Sequence, residues 1–595
     1  MNNIFDQSSS SENEFEPQKP LKKFWSYIKS LKKDSCGVSP LKRDGVLVSE
    51  SKQKATILNS QYSSVFTKES SNEIPELEDS PHPSLPPLKV SLPGVLKLLN
   101  NLKIDKAAGP DKIHPRFLKT VSEEVAPLLV HLFQKSIDTG HVPTQWKCAN
   151  ITPVFKKGDK SDPANYRPVS LTSVPCKLLE HIISKHIMTH LESNNILTDS
   201  QHGFRAKRSC ETQLLNFTQE LLEGLANGDQ YHVNIMDFSK AFDKVPHSRL
   251  LKKIEYYGIG ENIHDWIKSF LSNRSQKVVV DGESSPSCDV DSGVPQGTVM
   301  GPILFLLFIN DLPPTISSPC KLFADDLIVY RKITKQTDCN ILQYDMNKLA
   351  KWERVWGMKF HPDKCETIIV SRKRKPHKHI YLLSGHPLKH VDEAKYLGVN
   401  ISEDLDWSPH IRKVIIKANK SLGFIKRNLK AAPENIRSVA YKTLVRPQLE
   451  YCTSVWDPHH QNSVYQLEMV QRRAARFTLR RYHQTSSVSN MLTQLGWETL
   501  AERRAKFRLI NLYKGVHNMI AIDCSHYLTP IQAQTRQSHS MTFRHISTRS
   551  DYHKFSFYPR TIPLWNSLPP SIIQSPTIGA FRNQLSKYTI PPPLM

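Results

Sequence analysis

Carboxylates at the ends of predicted apolar strands constrain what this chain can fold into more than any other sequence feature does. Asp237 follows the apolar run 233–236, and Asp325 and Asp326 interrupt two further apolar runs within 322–330, which predicts a hairpin with the acidic pair at its turn. Ionised carboxylates between buried strands are unfavourable unless a cation neutralises them. Oxygen-only ligands favour Mg²⁺, and two such ions can support phosphoryl transfer. For the Asp-Asp dipeptide alone, a polar cap on a hairpin turn is the commoner interpretation.

Strand and helix alternate from residue 231 onward, which predicts a mixed α/β core. A strand over 233–236 is followed by two amphipathic helices, and the Asp281-Gly282 pair predicts a hairpin turn. An apolar helix over 302–312 precedes the second hairpin. From 408 to 483 the pattern is helical.

The N-terminal region predicts little regular structure. Residues 1–20 are polar and predicted to be disordered, a short helix is predicted over Leu21–Lys33, and the Pro-rich segment 70–88 is predicted to be a linker. Regular structure is predicted to begin near Val90, and a proline tail closes the chain at 591–593. The chain shows neither a signal sequence nor an apolar run of membrane-spanning length, so a nuclear or cytoplasmic location is expected.

The net charge and the cysteine spacing limit the classes of partner that the protein can have. The formal net charge is +24, from 80 Lys and Arg against 56 Asp and Glu, which indicates a polyanionic partner, either nucleic acid or an acidic membrane. The ten cysteines include no C-x-x-C pair, which argues against a disulfide framework and against zinc. The basic run 372–375 is interpreted as a nuclear localisation signal or as a phosphate-contacting loop.

Longer strings surround these aspartates and resemble the reverse transcriptases of non-LTR retrotransposons, especially the jockey-like kind. The resemblance covers much of the chain, and the strings occur in the family's order. They are N-Y-R-P-V-S-L (165–171), Q-H-G-F-R (201–205), D-F-S-K-A-F-D-K-V-P-H (237–247), S-G-V-P-Q-G-T-V-M-G-P (292–302), I-N-D-L-P (309–313), F-A-D-D (323–326), K-Y-L-G-V (395–399) and W-N-S-L-P (565–569).

The resemblance implies a right-hand polymerase fold with fingers, palm and a helical thumb. It implies fingers at 90–230, with the reverse transcriptase domain starting near 135–150, a palm at 231–400 and a thumb at 401–485. Residues 1–89 are left as disordered N-terminus and linker. Residues 486–595 either recognise RNA or brace the thumb.

Metal and nucleotide sites follow from the same resemblance. Asp237, Asp325 and Asp326, with the backbone carbonyl of Phe238, are implied ligands of Mg²⁺, for which Mn²⁺ could substitute. Phe242 matches the family's bulky residue that crowds a ribose 2′-hydroxyl and so selects dNTPs. The alternative for Phe242 is core packing.

Other matching residues would contact the nucleotide and its phosphates. Gln296 and Gly297 lie in a loop that faces the templating base and the incoming nucleotide in the family, and the glycines allow close backbone approach. The resemblance also implies that Lys156, Lys157 and Arg167 bind the triphosphate. It implies that Lys364 acts as a general acid near the leaving pyrophosphate. The alternatives are a solvated turn for Lys156 and Lys157 and an exposed strand-edge lysine for Lys364.

Two amphipathic helices downstream carry cationic faces. Their basic residues recur at helical spacing without interspersed glutamates, which favours contact with a template–primer duplex over a merely solvated face. They are Lys413, Lys417 and Lys420 on the first helix, and Arg472, Arg476 and Arg480 on the second.

These features together predict an RNA-directed DNA polymerase that adds dNTPs to a DNA primer 3′-hydroxyl on an RNA template. An RNA-templated RNA polymerase is a weaker alternative because Phe242 would exclude a ribose. The alternative of another class is a catalytically inactive or domesticated protein that only binds nucleic acid. The segment before residue 90 leaves no room for the endonuclease that the family usually carries, so any nicking activity is expected from elsewhere.

Overall fold

The structure is a computed structural model that describes residues 37–69, 74–531 and 541–590. The predicted helix Leu21–Lys33 and the proline tail lie outside these ranges, and the predicted linker 70–88 lies partly outside them. The prediction of a disordered leader is wrong for residues 37–69, which fold and pack. Their elements are Leu41–Arg43 (β1), Val46–Val48 (β2) and Ser51–Ser63 (α1).

Helices and strands alternate between residues 92 and 290. The helices are Leu92–Asn100 (α2), Pro115–Thr120 (α3), Ser122–Asp138 (α4), Val174–Ser193 (α5), Cys210–Ala226 (α6), Ala241–Lys244 (α7), His247–Tyr256 (α8) and Glu261–Leu271 (α9). The strands are Cys148–Phe155 (β3), Tyr166–Leu171 (β4), Tyr231–Met236 (β5), Arg274–Val280 (β6), Glu283–Ser284 (β7) and Cys288–Val290 (β8). The predicted turn is confirmed: Asp281 and Gly282 join β6 to β7 with φ of 52° and 90°, as a tight two-residue hairpin requires.

The next segment contains both the buried helix and the acidic hairpin. Its elements are Met300–Ile309 (α10), Cys320–Phe323 (β9), Asp326–Lys332 (β10), Gln336–Trp356 (α11), Glu366–Val370 (β11), Leu382–Leu383 (β12), His386–Pro387 (β13), Lys389–His390 (β14), Glu393–Tyr396 (β15) and Val399–Ser402 (β16). The hairpin predicted over 322–330 is confirmed by β9 and β10. Helix α10 is apolar on every side and almost wholly buried, which is the expected position for such a helix.

A five-stranded sheet, the central sheet, positions the acidic residues. Its order is β14-β11-β5-β10-β9, so β5 lies in the middle with β10 and β11 antiparallel on either side. The register pairs Met236 of β5 with Leu327 of β10. The residues that follow β5 and precede β10 therefore meet at one edge of the sheet.

A second sheet, the side sheet, has the order β4-β3-β6-β7, and β8 pairs with β6. Strand β3 runs parallel to β6, and Cys148 is opposite Ser275. The side sheet therefore crosses the predicted boundary at residue 230, because β6 comes from the segment assigned to the palm. Helix α1 and strand β1 cover this sheet: Ala55, Leu58 and Tyr62 of α1 and Leu41 of β1 share a buried apolar cluster with residues of β3, β4 and β6.

The chain is mainly helical from residue 408 onward, as predicted for 408–483. Its helices are Ser408–Asn428 (α12), Glu434–Leu444 (α13), Arg446–Glu450 (α14), Thr453–Trp456 (α15), Gln461–Leu479 (α16), Val488–Gln494 (α17), Leu500–Val516 (α18), Asp551–Lys554 (α19), Phe557–Asn566 (α20), Pro570–Ile573 (α21) and Ile578–Lys587 (α22). Helix α16 ends at Leu479, and Arg480 follows in a left-handed conformation with φ of 56°. The prediction that Arg480 continues the helical spacing is therefore wrong.

Residues beyond 486 share one hydrophobic core with the helices before them. Trp456 of α15, Leu509 of α18 and Trp565 of α20 all belong to this buried cluster, together with Val233 of the central sheet. The described residues beyond 486 therefore pack against the preceding helices and the sheet. Within 37–69, 74–531 and 541–590, no helix combines the length and the apolar composition that a membrane span needs.

Candidate active site

Three aspartates converge where β5 ends and β10 begins. Asp237 directly follows β5, Asp325 lies in the turn from β9 into β10, and Asp326 is the first residue of β10. Continuing the β5–β10 register by one residue places Asp326 opposite Asp237. The central sheet therefore brings together carboxylates that lie about ninety residues apart in the sequence.

Desolvation and mutual repulsion of the carboxylates dominate the electrostatics of this cluster. Desolvation of the Asp326 carboxyl, and then the carboxylates of Asp325 and Asp237, raise its pKa to about 7, although the residue as a whole is exposed. Burial, reinforced by Asp237, also raises the pKa of Asp325. A cation bound among these oxygens would remove the repulsion, and the oxygen-only donor set fits a hard divalent ion.

The carboxylates are adjacent but do not form a closed ligand cage. Among the residues that the structure describes, no three His, Cys, Asp or Glu side chains stand close enough to hold a metal ion. Phe238 is buried, and its ring stacks on Phe360 at 4.2 Å between centroids. The backbone carbonyl of Asp237 accepts a hydrogen bond from the backbone N–H of His361 at 2.8 Å. These contacts fix the backbone on one side of the cluster.

Basic side chains from two directions face the aspartates. Lys156 follows β3 and Arg167 lies on β4, and their positive charges lower the pKa values of Asp325 and Asp326 against the opposing effect of burial. Burial, then Arg167, lowers the pKa of Lys156. Lys157 follows in the same exposed turn. The side sheet thus presents its β3–β4 hairpin to the acidic edge of the central sheet.

Lys364 reaches the cluster from the turn that precedes β11. Its Nζ lies 3.3 Å from Oδ2 of Asp237, and 55% of the Lys364 side chain is exposed. The short 3₁₀ turn Pro362–Lys364 just before β11 places it there. The structure therefore brings Lys364 to the aspartates and does not leave it on a remote strand edge.

Phe242 combines packing with exposure to the site. Its ring stacks on Phe305 at 4.6 Å and meets Phe204 edge-on at 6.3 Å between centroids. The side chain is only partly buried, and it lines a cavity together with Gln296 and Pro168. The two interpretations of Phe242 are therefore compatible: one face packs on the core while the rest borders the cavity.

The loop carrying Gln296 is fastened to its surroundings. The Gln296 side-chain amide donates to Oδ1 of Asp243 at 2.9 Å, and its backbone carbonyl accepts from the N–H of Ser170 at 2.8 Å. Gly297 has φ of 106°, and a Cβ there would lie 2.8 Å from the Ser170 carbonyl oxygen. The close approach that the glycine permits is thus to the protein's own backbone.

Two further carboxylates at this loop were not predicted from the sequence patterns. Burial raises the pKa of Asp243, which holds Gln296, to about 6. Glu180 accepts backbone N–H groups from Val299 and Met300 at 2.7 and 3.0 Å, so it caps the start of α10. Asp243 lies inside the quoted D-F-S-K-A-F-D string and could have been found there. Glu180 has no comparable signal, because its partners are backbone groups far away in sequence.

The basic residues of the C-terminal helices occupy different environments. Lys417 and Lys420 are exposed on α12, whereas Lys413 pairs with Glu393 of β15 at 2.7 Å. On α16, Arg472 and Arg476 are partly buried, and Arg476 donates to the carbonyl of His483. Arg480 donates to the carbonyl of Lys430 at 2.7 Å. The cationic face is therefore less uniform than its spacing predicts.

Comparison with known proteins agrees with this architecture. Residues 155–401 match the family model described as "Reverse transcriptase (RNA-dependent DNA polymerase)". The matched segment begins at the end of β3, slightly after the domain start predicted near 135–150, and contains the three aspartates. This chain therefore carries a reverse transcriptase domain.

Similar proteins refine that assignment. The chain is 27% identical to the RNA-directed DNA polymerase from mobile element jockey of Drosophila melanogaster over 68% of this chain and 45% of the relative. It is 29% identical to the jockey protein of Drosophila funebris, over 63% of this chain and 42% of that one. It is 27% identical to the probable RNA-directed DNA polymerase from transposon X-element of Drosophila melanogaster, over 62% and 42%. The chain is thus similar to RNA-directed DNA polymerases of mobile elements, and it spans less than half the length of these relatives.

Proposed function

We propose that this protein is an RNA-directed DNA polymerase that extends a primer 3′-hydroxyl with dNTPs on an RNA template. The observation that carries the proposal is the meeting of Asp237, Asp325 and Asp326 at one edge of the central sheet. Cations from the side sheet face this cluster, as phosphate transfer requires. The similarity to named RNA-directed DNA polymerases supports the choice of RNA as template.

The proposal assigns the architecture to a right hand. The central sheet, with α10 and α11, corresponds to the palm, and the side sheet with α4 and α5 corresponds to the fingers. Helices α12 to α16 correspond to the thumb. On this assignment the fingers include β6 to β8 and the packed segment 37–69, and the residues beyond 486 support the thumb through the shared hydrophobic core.

Asp237, Asp325 and Asp326 would hold divalent cations, with the Phe238 carbonyl as a further ligand. Mg²⁺ suits this donor set, and Mn²⁺ could replace it. When bound, such ions lower the barrier to phosphoryl transfer by stabilising charge on the attacking and leaving oxygens. The protein's own contribution is to hold the carboxylates on adjacent strands, where each strand fixes the position of its neighbour.

The basic residues around the aspartates would bind the nucleotide. Lys156, Lys157 and Arg167 would hold the triphosphate by charge-assisted hydrogen bonds, and their position opposite the carboxylates supports this role. Lys364, at 3.3 Å from Asp237, would deliver a proton to the leaving pyrophosphate. Gln296 and Gly297 would lie beneath the templating base, since the loop is anchored on both sides.

The exposed cations of α12 and the arginines of α16 would follow the template–primer backbone. Phosphate contacts of this kind give affinity without sequence preference and weaken as salt rises. The exposed side chains of Lys417 and Lys420 are the best placed for such contacts. Lys413, Arg472, Arg476 and Arg480 would contribute as well, but the burial and pairing described above reduce their freedom to reach a phosphate.

Phe242→Val is expected to admit ribonucleotides. The shorter side chain keeps part of the contact with Phe305 but removes the ring that would clash with a 2′-hydroxyl, so discrimination should fall roughly 100-fold. The measurement compares kcat/KM for dGTP and GTP on poly(rC)/oligo(dG), because the two nucleotides carry the same base. Unchanged sugar selectivity with normal dGTP incorporation would remove Phe242 from this role.

Primer extension tests the proposed function directly. Purified protein with Mg²⁺ is expected to extend oligo(dT) with labelled dTTP on poly(rA), and EDTA should stop the extension. Oligo(dT) without template should not be extended, which separates templated copying from terminal addition. Absence of extension while fluorescence anisotropy still shows template–primer binding would support the non-catalytic alternative.

A further inference from the structure

The turn that carries Asp325 and Asp326 contains a strained residue. Ala324 has φ of 54°, a left-handed conformation that is strained for a residue other than glycine. Such a conformation persists when surrounding contacts hold it in place. The position of both carboxylates depends on this residue, since it directly precedes them in the turn.

The Gln201 side chain brackets the backbone of Ala324. Its Oε1 accepts the N–H of Ala324 at 2.9 Å, and its Nε2 lies 3.5 Å from the Ala324 carbonyl oxygen. The same Oε1 accepts the N–H of Gly203 at 2.7 Å. Gln201 is 2% exposed, so these hydrogen bonds form in a site closed to water.

The backbone around Gln201 docks on the same hairpin. The N–H of His202 donates to the carbonyl of Leu322, and the N–H of Leu322 donates to the carbonyl of Ser200, both at 2.8 Å. Gly203 lies so close that a Cβ would overlap the backbone nitrogen of Ala324. Its φ lies outside the left-handed region, so this glycine is required for space and not for conformation.

The rest of the string Q-H-G-F-R (201–205) anchors this contact and extends it. Arg205 donates to both carboxylate oxygens of Glu192, at 2.9 and 2.7 Å, and to the carbonyl of Thr198 at 2.7 Å. Phe204 places its ring edge-on against Phe242. One short segment therefore touches both the acidic turn and the side chain assigned to sugar selection.

We infer that Gln201 is a positioning residue of the active site, which holds the Ala324 turn so that Asp325 and Asp326 point toward Asp237. This inference rests on the proposed polymerase function but makes a structural claim that can fail independently. Gln201 acts through the backbone of Ala324 and does not itself touch substrate. Oε1 is the critical atom because it accepts two well-formed hydrogen bonds, whereas the Nε2 contact is long.

The experiment compares Gln201→Met and Gln201→Glu with the wild type. Methionine preserves length and volume but removes both hydrogen-bonding groups, while glutamate retains an acceptor oxygen. Gln471→Met is the matched control. Gln471 is also a buried amide, hydrogen-bonded to Tyr441 and Glu498, but it lies on α16 and not beside the Ala324 turn. Primer-extension kinetics, melting temperature and hydrogen–deuterium exchange of the peptide 322–327 are measured for each protein.

Gln201→Met is expected to lower kcat about 100-fold, since a displacement of roughly 1 Å in a catalytic group has that effect, and to leave the KM for dNTP within about twofold. Exchange of peptide 322–327 should become about tenfold faster in this variant. Gln201→Glu should restore most of kcat and of the protection. Gln471→Met should lower the melting temperature by a similar amount without altering kcat or this peptide's exchange.

Two results would overturn the inference. One is unchanged exchange of peptide 322–327 in Gln201→Met, which would show that the amide does not hold the turn, whether or not the protein polymerises. The other is equal loss of kcat in the glutamate and methionine variants while both remain folded. Absence of extension by the wild type would instead reject the polymerase function and leave the exchange result interpretable.

Discussion

Asp325→Asn is expected to abolish nucleotide incorporation while template–primer binding stays within about twofold of wild type. Asparagine preserves the shape of the side chain but removes one of three negative charges available to a divalent ion, and the loss of several kcal/mol of charge stabilisation corresponds to roughly a thousand-fold or more in rate. The measurement is single-turnover extension on poly(rA)/oligo(dT), together with anisotropy of the labelled duplex.

The same substitution should not weaken the fold. Burial and the proximity of Asp237 already raise the pKa of Asp325, so removing its charge relieves repulsion within the cluster. The melting temperature without divalent ions should therefore equal or exceed that of the wild type. Asp363→Asn is the matched control, since it makes the same charge change on a side chain that is 93% exposed. Extension by Asp325→Asn at the rate of this control would reject the assignment of the carboxylate cluster.

Asp457→Asn is expected to destabilise the C-terminal half far more than neutralisation of an exposed carboxylate would. The Asp457 side chain is 6% exposed and faces three arginines. Arg504 donates to its Oδ1 at 2.6 Å, whereas Arg560, at 3.3 Å, and Arg508 both contact its Oδ2. Asparagine would leave these buried guanidinium groups without their shared counter-charge. Removing one partner of a buried ion pair costs roughly 3–5 kcal/mol.

Thermal unfolding and limited proteolysis measure this effect. The expected fall in melting temperature is roughly 10 °C, and residues 486–590 should become sensitive to protease because Arg504, Arg508 and Arg560 tie α18 and α20 to the end of α15. Glu255→Gln is the control, since it breaks an exposed pair with Lys252 whose contribution is below about 1 kcal/mol. If Asp457→Asn had the same melting temperature as the wild type, other groups would have to neutralise these arginines.

Local sequence patterns correctly predicted the elements that consecutive residues determine. The acidic hairpin, the Asp281-Gly282 turn and the apolar helix α10 are confirmed because their hydrophobic pattern and turn residues are local. The packed segment 37–69 was missed because its apolar face, Ala55, Leu58 and Tyr62, is short and interrupted by polar residues. The apolar face of this segment can be identified only in the folded structure, where it packs on the side sheet.

The sequence by itself determined the inventory of the site: three aspartates after apolar strands, the glycine-punctuated loop at Gln296 and the basic residues around them. The aspartates follow from residue type and position, and the loop and the basic residues follow from the family resemblance of the strings that contain them. The tertiary structure alone decided which groups hold them in place. Gln201 reaches Ala324 across 123 residues, and Glu180 caps α10 from 119 and 120 residues away. Such contacts depend on how distant segments pack, because a buried amide or carboxylate takes its role from whichever backbone groups the fold leaves beside it.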